Sequence, residues 1–85
     1  APLAAYRIGE SSYFLEDFAA AGTELESFVK TYPNHDLAVW GWQYLGETRL
    51  ELKDAPGAVQ AFEVVLKLKT EITEQIEKNQ ASAKA

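Results

Sequence analysis

The side chains able to do chemistry in this chain are few and scattered. His35 is the only histidine, set between Asn34 and Asp36, and there is no cysteine. One imidazole beside one carboxylate falls short of the three or four ligands that a zinc site uses, so His35 reads as a solvated loop residue. Ser11, Ser12 and Ser27 lie in helix-patterned segments, away from the sharp strand-to-helix elbow that exposes a catalytic serine. "APG" at 55–57 is helix-start punctuation rather than a phosphate-cradling loop. Glu10 and Glu47 carry carboxylates suited to acid–base work, but an exposed helix face accounts for them more simply. The expectation is a non-enzyme with no catalytic residue, no metal and no cofactor.

A row of aromatic and acidic residues is more informative. Trp40 and Tyr44 are four apart, and Glu47 and Glu51 continue the same line. Residues three and four apart share one face of a helix. Two uses fit such a face. It captures a partner, or it packs against a neighbouring structural unit or another subunit.

Elements must exist to hold that row. Eighty-five residues allow one domain at most, and a chain so short buries only about 60–65% of its unfolded surface. A hydrophobic fraction of 47%, including two Trp, four Tyr and four Phe, argues for a folded core. The net charge of −5 disfavours nucleic acid and anionic membranes, which are bound by clustered Lys and Arg. No apolar run approaches the roughly 20 residues of a membrane span. The chain starts Ala-Pro-Leu and has no Met, so it is expected to be a processed protein or a piece of a longer one.

Two stretches match at an offset of 37: "IGESSYFLED" at 8–17 and "LGETRLELKD" at 45–54. Over 8–30 and 45–67 the identical pairs are Gly9/Gly46, Glu10/Glu47, Leu15/Leu52, Asp17/Asp54, Ala21/Ala58, Glu26/Glu63 and Lys30/Lys67. A period of about 20–50 residues marks stacked-repeat architectures.

Helical periodicity gives each unit two helices. Over 36–52, Ala38, Val39, Trp42, Leu45, Gly46 and Leu52 share one side, with Asp36 as the expected N-cap and the helix end expected near Lys53. Asp54 caps the next helix, and Pro56 is tolerated in its first turn. That helix carries an apolar stripe of Ala58, Val59, Ala61, Phe62, Val65, Leu66, Ile72 and Ile76. In the first unit a helix spans 3–16 and Asp17 caps the second. Its start near Phe18, given by the offset, is favoured over Thr23, given by the capping box "TELE". It ends near Tyr32, before Pro33. Gly46 is expected to meet Ala58 at the closest approach of two helices, Gly9 to meet Ala21, and Phe62 to fill the space toward the neighbouring pair.

"WQYLGETRLELKDAPGAVQAFEVVLKL" at 42–68 resembles the tetratricopeptide repeat, with Trp42, Leu45-Gly46, Ala58 and Phe62 at the family spacing. Arg49 replaces the usual tyrosine, Val65 the later alanine and Thr70 the terminal proline. The first unit carries Ile8-Gly9, Ala21 and Leu25. The resemblance implies an all-α, right-handed array of two helix hairpins with an extended last helix, and a role in binding or scaffolding proteins. It implies a concave face lined by the first helix of each pair. Matched spacing puts Leu3, Tyr6, Arg7, Glu10 and Phe14 there from one unit, and Trp40, Gln43, Tyr44, Glu47 and Glu51 from the other. Such an aromatic and acidic face suits a peptide or protein with apolar and basic residues. Gln43 and Glu47 stand where the family's carboxylate clamp has basic and amide groups, which argues against a receptor for acidic chaperone tails. The longer connection, with "YP" before the next helix, resembles tetratricopeptide proteins of the bacterial cell envelope and periplasm, including outer-membrane assembly lipoproteins and Tol–Pal-associated proteins.

The expected domain is 1–78, with units at about 2–32 and 36–69, an extension to 78 and a frayed tail over 79–85. The tail segment could instead be the first helix of a truncated third repeat. Two repeats are fewer than the three that solenoids usually need, so a homo-oligomer, most simply a dimer, or a longer repeat array is expected. A purely structural self-association module is the alternative function. A helical accessory domain of an enzyme is the third.

Overall fold

The computed structural model describes the backbone of residues 1–84 and the side chains of residues 1–79. It contains four helices in chain order: α1 (Pro2–Phe14), α2 (Phe18–Thr31), α3 (Ala38–Glu51) and α4 (Ala55–Lys84). No strand occurs among the described residues. Among the described residues each helix packs on the next, α1 also touches α3, and α2 does not reach α4. The result is an all-α, tetratricopeptide-like array of two helix hairpins.

The 37-residue offset is visible in the hairpin turns. Both first helices end in a left-handed residue, Glu16 at φ 63° and Lys53 at φ 66°. The amide of Asp17 donates to Ser12 O and that of Glu16 to Tyr13 O; Asp54 and Lys53 repeat this on Arg49 O and Leu50 O. These are Schellman closures, in which the backbone turns back to satisfy the last carbonyls. The same Asp then opens the next helix. Asp17 Oδ1 accepts from the Ala20 amide at 3.3 Å, and Asp54 Oδ1 from the Gly57 amide at 3.0 Å. Helix α2 begins at Phe18. Thr23, the other candidate cap, instead donates its hydroxyl to Ala19 O within the helix.

Four boundaries differ from the sequence expectation. Helix α1 ends at Phe14 and α3 at Glu51, earlier than 16 and 53, because the left-handed turns come first. Asp36 does not cap α3. Helix α3 starts at Ala38 after Leu37, and His35 Nδ1 accepts the Leu37 amide at 3.0 Å. His35 is therefore no freely solvated loop residue: it is half-buried, with its ring 6.0 Å from that of Phe28. Helix α4 runs to Lys84 rather than 78, since "NQASAKA" contains no glycine or proline to stop it. Ala85 and the side chains of 80–85 lie outside the described residues.

The core lies chiefly between the hairpins. Ala21, Leu25, Phe28 and Val29 of α2 pack with Leu45 of α3 and Tyr6 of α1. Helix α3 is covered on two sides, so Gly41 and Thr48, outside the expected stripe, are buried together with Ala38, Leu45 and Gly46. Gly41 fits because a Cβ there would lie 2.8 Å from Val29 Cγ1 and 2.9 Å from Phe28 Cδ2. Each hairpin glycine faces a large side chain. A Cβ at Gly46 would lie 2.6 Å from Phe62 Cε1, and one at Gly9 would lie 2.7 Å from Leu25 Cδ2. The glycine thus seats a large side chain of its hairpin partner, and Phe62 fills the interior of its own hairpin.

On α4 only Ala58, Ala61 and Val65 of the stripe are fully buried. Val59, Leu66, Ile72 and Ile76 are exposed. Beyond the start of α3, α4 overhangs the 33–36 loop and leaves an open trough of about 520 Å³ bordered by Leu68, Ile72 and Val39.

Candidate functional site: the face shared by α1 and α3

The first helix of each hairpin lies on one side of the molecule, and α1 and α3 touch along it. Between them is an open concavity of about 390 Å³, lined by Leu3, Tyr6, Arg7, Glu10, Leu37, Trp40 and Tyr44. Six of these come from the residues expected on the concave face; Leu37, from the connecting loop, was not foreseen.

The side chains play unequal parts. Trp40 is 52% exposed and is the most open aromatic side chain lining the concavity. Tyr6 is 6% exposed. Its ring sits 5.6 Å from Phe28 and 6.5 Å from Tyr44, and its hydroxyl donates to Glu10 Oε2 at 3.1 Å. Tyr6 therefore forms the floor. Tyr44 is half-buried, with rings of Tyr13 at 5.0 Å and Phe14 at 5.7 Å. It forms part of the α1–α3 contact as well as a wall.

Gln43, Glu47, Glu51 and Phe14 do not line the concavity itself but extend its face. Gln43 Nε2 lies 3.5 Å from Glu47 Oε1. Glu47 Oε2 accepts from the Tyr13 hydroxyl at 3.1 Å, a bond between the two hairpins. Phe14 and Glu51 are exposed. Tyr13 was absent from the expected set. Its position on α1 carries no motif, and its role depends on which residue of α3 arrives opposite.

The face is acidic and its floor is buried. Burial, together with the hydrogen bond to Glu10 and its negative charge, pushes the Tyr6 phenol well above its ordinary value. Burial and the Glu47 carboxylate raise Tyr13, and burial with Glu10 and Glu47 raises Tyr44. Arg7 is the one cation bordering the concavity, beside Glu10. Among the described residues no three His, Cys, Asp or Glu side chains group as metal ligands. No helix among them is long and apolar enough to cross a membrane.

A family model described as tetratricopeptide repeat matches residues 3–35. This segment is the first hairpin and the start of its connection, whereas the family-like spacing is plainer in the second. Comparison with curated proteins and with solved structures gave no match. The first hairpin is therefore similar to a tetratricopeptide repeat, and the four-helix array is consistent with that likeness.

Proposed function

We propose that this domain is a non-catalytic recognition module that binds an extended or helical segment of a protein along the α1–α3 face. Half-exposed Trp40, standing over a concavity with carboxylates on its margin, carries this reading. An indole left open beside a preformed depression is the kind of anchor that dominates interfaces. Glu10, Glu47 and Glu51 favour a ligand that pairs an apolar side chain with Lys or Arg. The connection between hairpins resembles those of bacterial cell-envelope proteins, which supports a setting there.

The test is a set of short peptides with one aromatic or aliphatic residue flanked by Lys, by Glu or by Ser, titrated against the wild type and Trp40→Ala. Trp40→Ala is the suitable variant because Tyr44 also supports the fold. The Lys peptides should bind best, weaken as salt rises, and lose at least tenfold in affinity with Trp40→Ala. Preference for the Glu peptides, or equal binding by Trp40→Ala, would overturn the proposal.

A further inference from the structure

The interface between α2 and α3 has two unfilled halves elsewhere in the chain, displaced by the same 37 residues. Helix α3 and its C-cap residue present Gly41, Leu45, Thr48 and Leu52 to α2. The equivalent residues of α1 are Ala4, Ile8, Ser11 and Leu15. These are open: Ile8 is 56% and Leu15 80% exposed. Helix α2 receives α3 through Gly22, Phe28 and Val29. The equivalents on α4 are Val59, Val65 and Leu66; Val59 is 54% and Leu66 68% exposed, while Val65, at 5%, lies beneath them, as Phe28 lies beneath the α2 surface.

We infer that α1 of one copy of this chain docks on α4 of the next, head to tail, repeating the α2–α3 interface between molecules. The residue exchanges compensate in size. At Gly22, a Cβ would lie 3.5 Å from Thr48 Cγ2 and 3.7 Å from Leu52 Cδ1. In the intermolecular contact the larger Val59 replaces Gly22, and the smaller Ser11 replaces Thr48. At Gly41, Val29 and the Phe28 ring leave no room for a methyl group. Ala4 brings that methyl group, Leu66 replaces Val29, and Val65 removes the ring.

Charge agrees as well. Tyr44 of α3 packs edge-on against Phe14 of α1, with ring centroids 5.7 Å apart. Moved on by one unit, Tyr44 becomes Arg7 of the incoming copy and Phe14 becomes Glu51 of the receiving copy. An aromatic pair inside the molecule becomes a cation–carboxylate pair between molecules, both partners exposed in the single chain.

A contact between two different faces does not close on itself and builds open assemblies. This inference stands apart from the groove reading, since Ile8 and Leu66 do not line the concavity. The test is sedimentation of the wild-type chain, Ile8→Glu, Leu66→Glu and an equal mixture of the two variants, over a range of concentrations, with helicity followed by circular dichroism. Both substituted residues are exposed, so helicity should persist. The average mass of the wild type should rise with concentration past twice the 9.4 kDa chain. Each variant alone should remain monomeric. The mixture should recover a one-to-one pair and nothing larger, because each variant keeps the face that the other has lost. A wild type that is monomeric throughout, a closed dimer, assembly that survives either substitution, or a mixture that does not pair would each overturn the inference. Monomeric wild type would mean that α4 awaits a different helix.

Discussion

At Gly46 the absence of a side chain is a packing requirement, since a Cβ there would meet the Phe62 ring at 2.6 Å. Gly46→Ala should destabilise by roughly 1–3 kcal/mol, the range for overpacked cores, and Gly46→Leu by more. Thermal melts of the two variants check this, and replacing Phe62 by Leu in the Ala variant should recover part of the loss. Thr48 presents the opposite case. Its side chain is wholly buried and its Oγ1 has no hydrogen-bond partner. Removing an unpaired buried hydroxyl while keeping the shape spares a desolvation penalty of about 1–3 kcal/mol. Thr48→Val should therefore raise the unfolding midpoint in urea. The phenols set the alkaline limit. Tyr6, Tyr13 and Tyr44 all ionise less readily than the ordinary value of 10.0. Their contribution is complete below that pH. Above it the unfolded chain sheds protons first, so stability falls as pH rises. Tyr6→Phe should flatten this decline, read as denaturation midpoints on either side of pH 10.

At the scale of the elements, what the sequence reveals depends on whether one side chain acts locally. Asp17 and Asp54 were legible as caps because a carboxylate three residues before an amide has a near-unique use. The left-handed closures before them were not. Glu16 and Lys53 occupy positions where glycine is usual, so no residue type announced them. They make a prediction: Lys53→Gly should stabilise by roughly 0.5–1 kcal/mol, as relief of left-handed strain, about 1–2 kcal/mol, outweighs the added freedom of the unfolded chain. A loss of stability on chemical denaturation would contradict the assigned turn. Asp36 misled because His35 supplies the acceptor that ends the loop. The burial of Gly41 and Thr48 was hidden for another reason. A single apolar stripe describes a helix with one covered side, and α3 has two. On the concave face, Trp40 and Tyr44 were legible from their spacing. Tyr13 and Leu37 were not, because their parts arise only when two hairpins meet.

Over the whole molecule, the 37-residue repetition that is modest in residue identity becomes plain in geometry. It recurs in paired turns, paired caps and paired glycine seats. Under the proposed contact it also pairs the exposed Ile8 and Leu15 of one copy with Val59 and Leu66 of the next. The most direct measurement is amide and indole chemical-shift mapping as a lysine-flanked aromatic peptide is titrated into the protein. The account predicts that the largest shifts fall on Arg7, Glu10, Leu37 and the Trp40 indole, around the α1–α3 concavity. Shifts concentrated instead on Leu68, Ile72 and Gln75, in the trough beneath the α4 overhang, would contradict it.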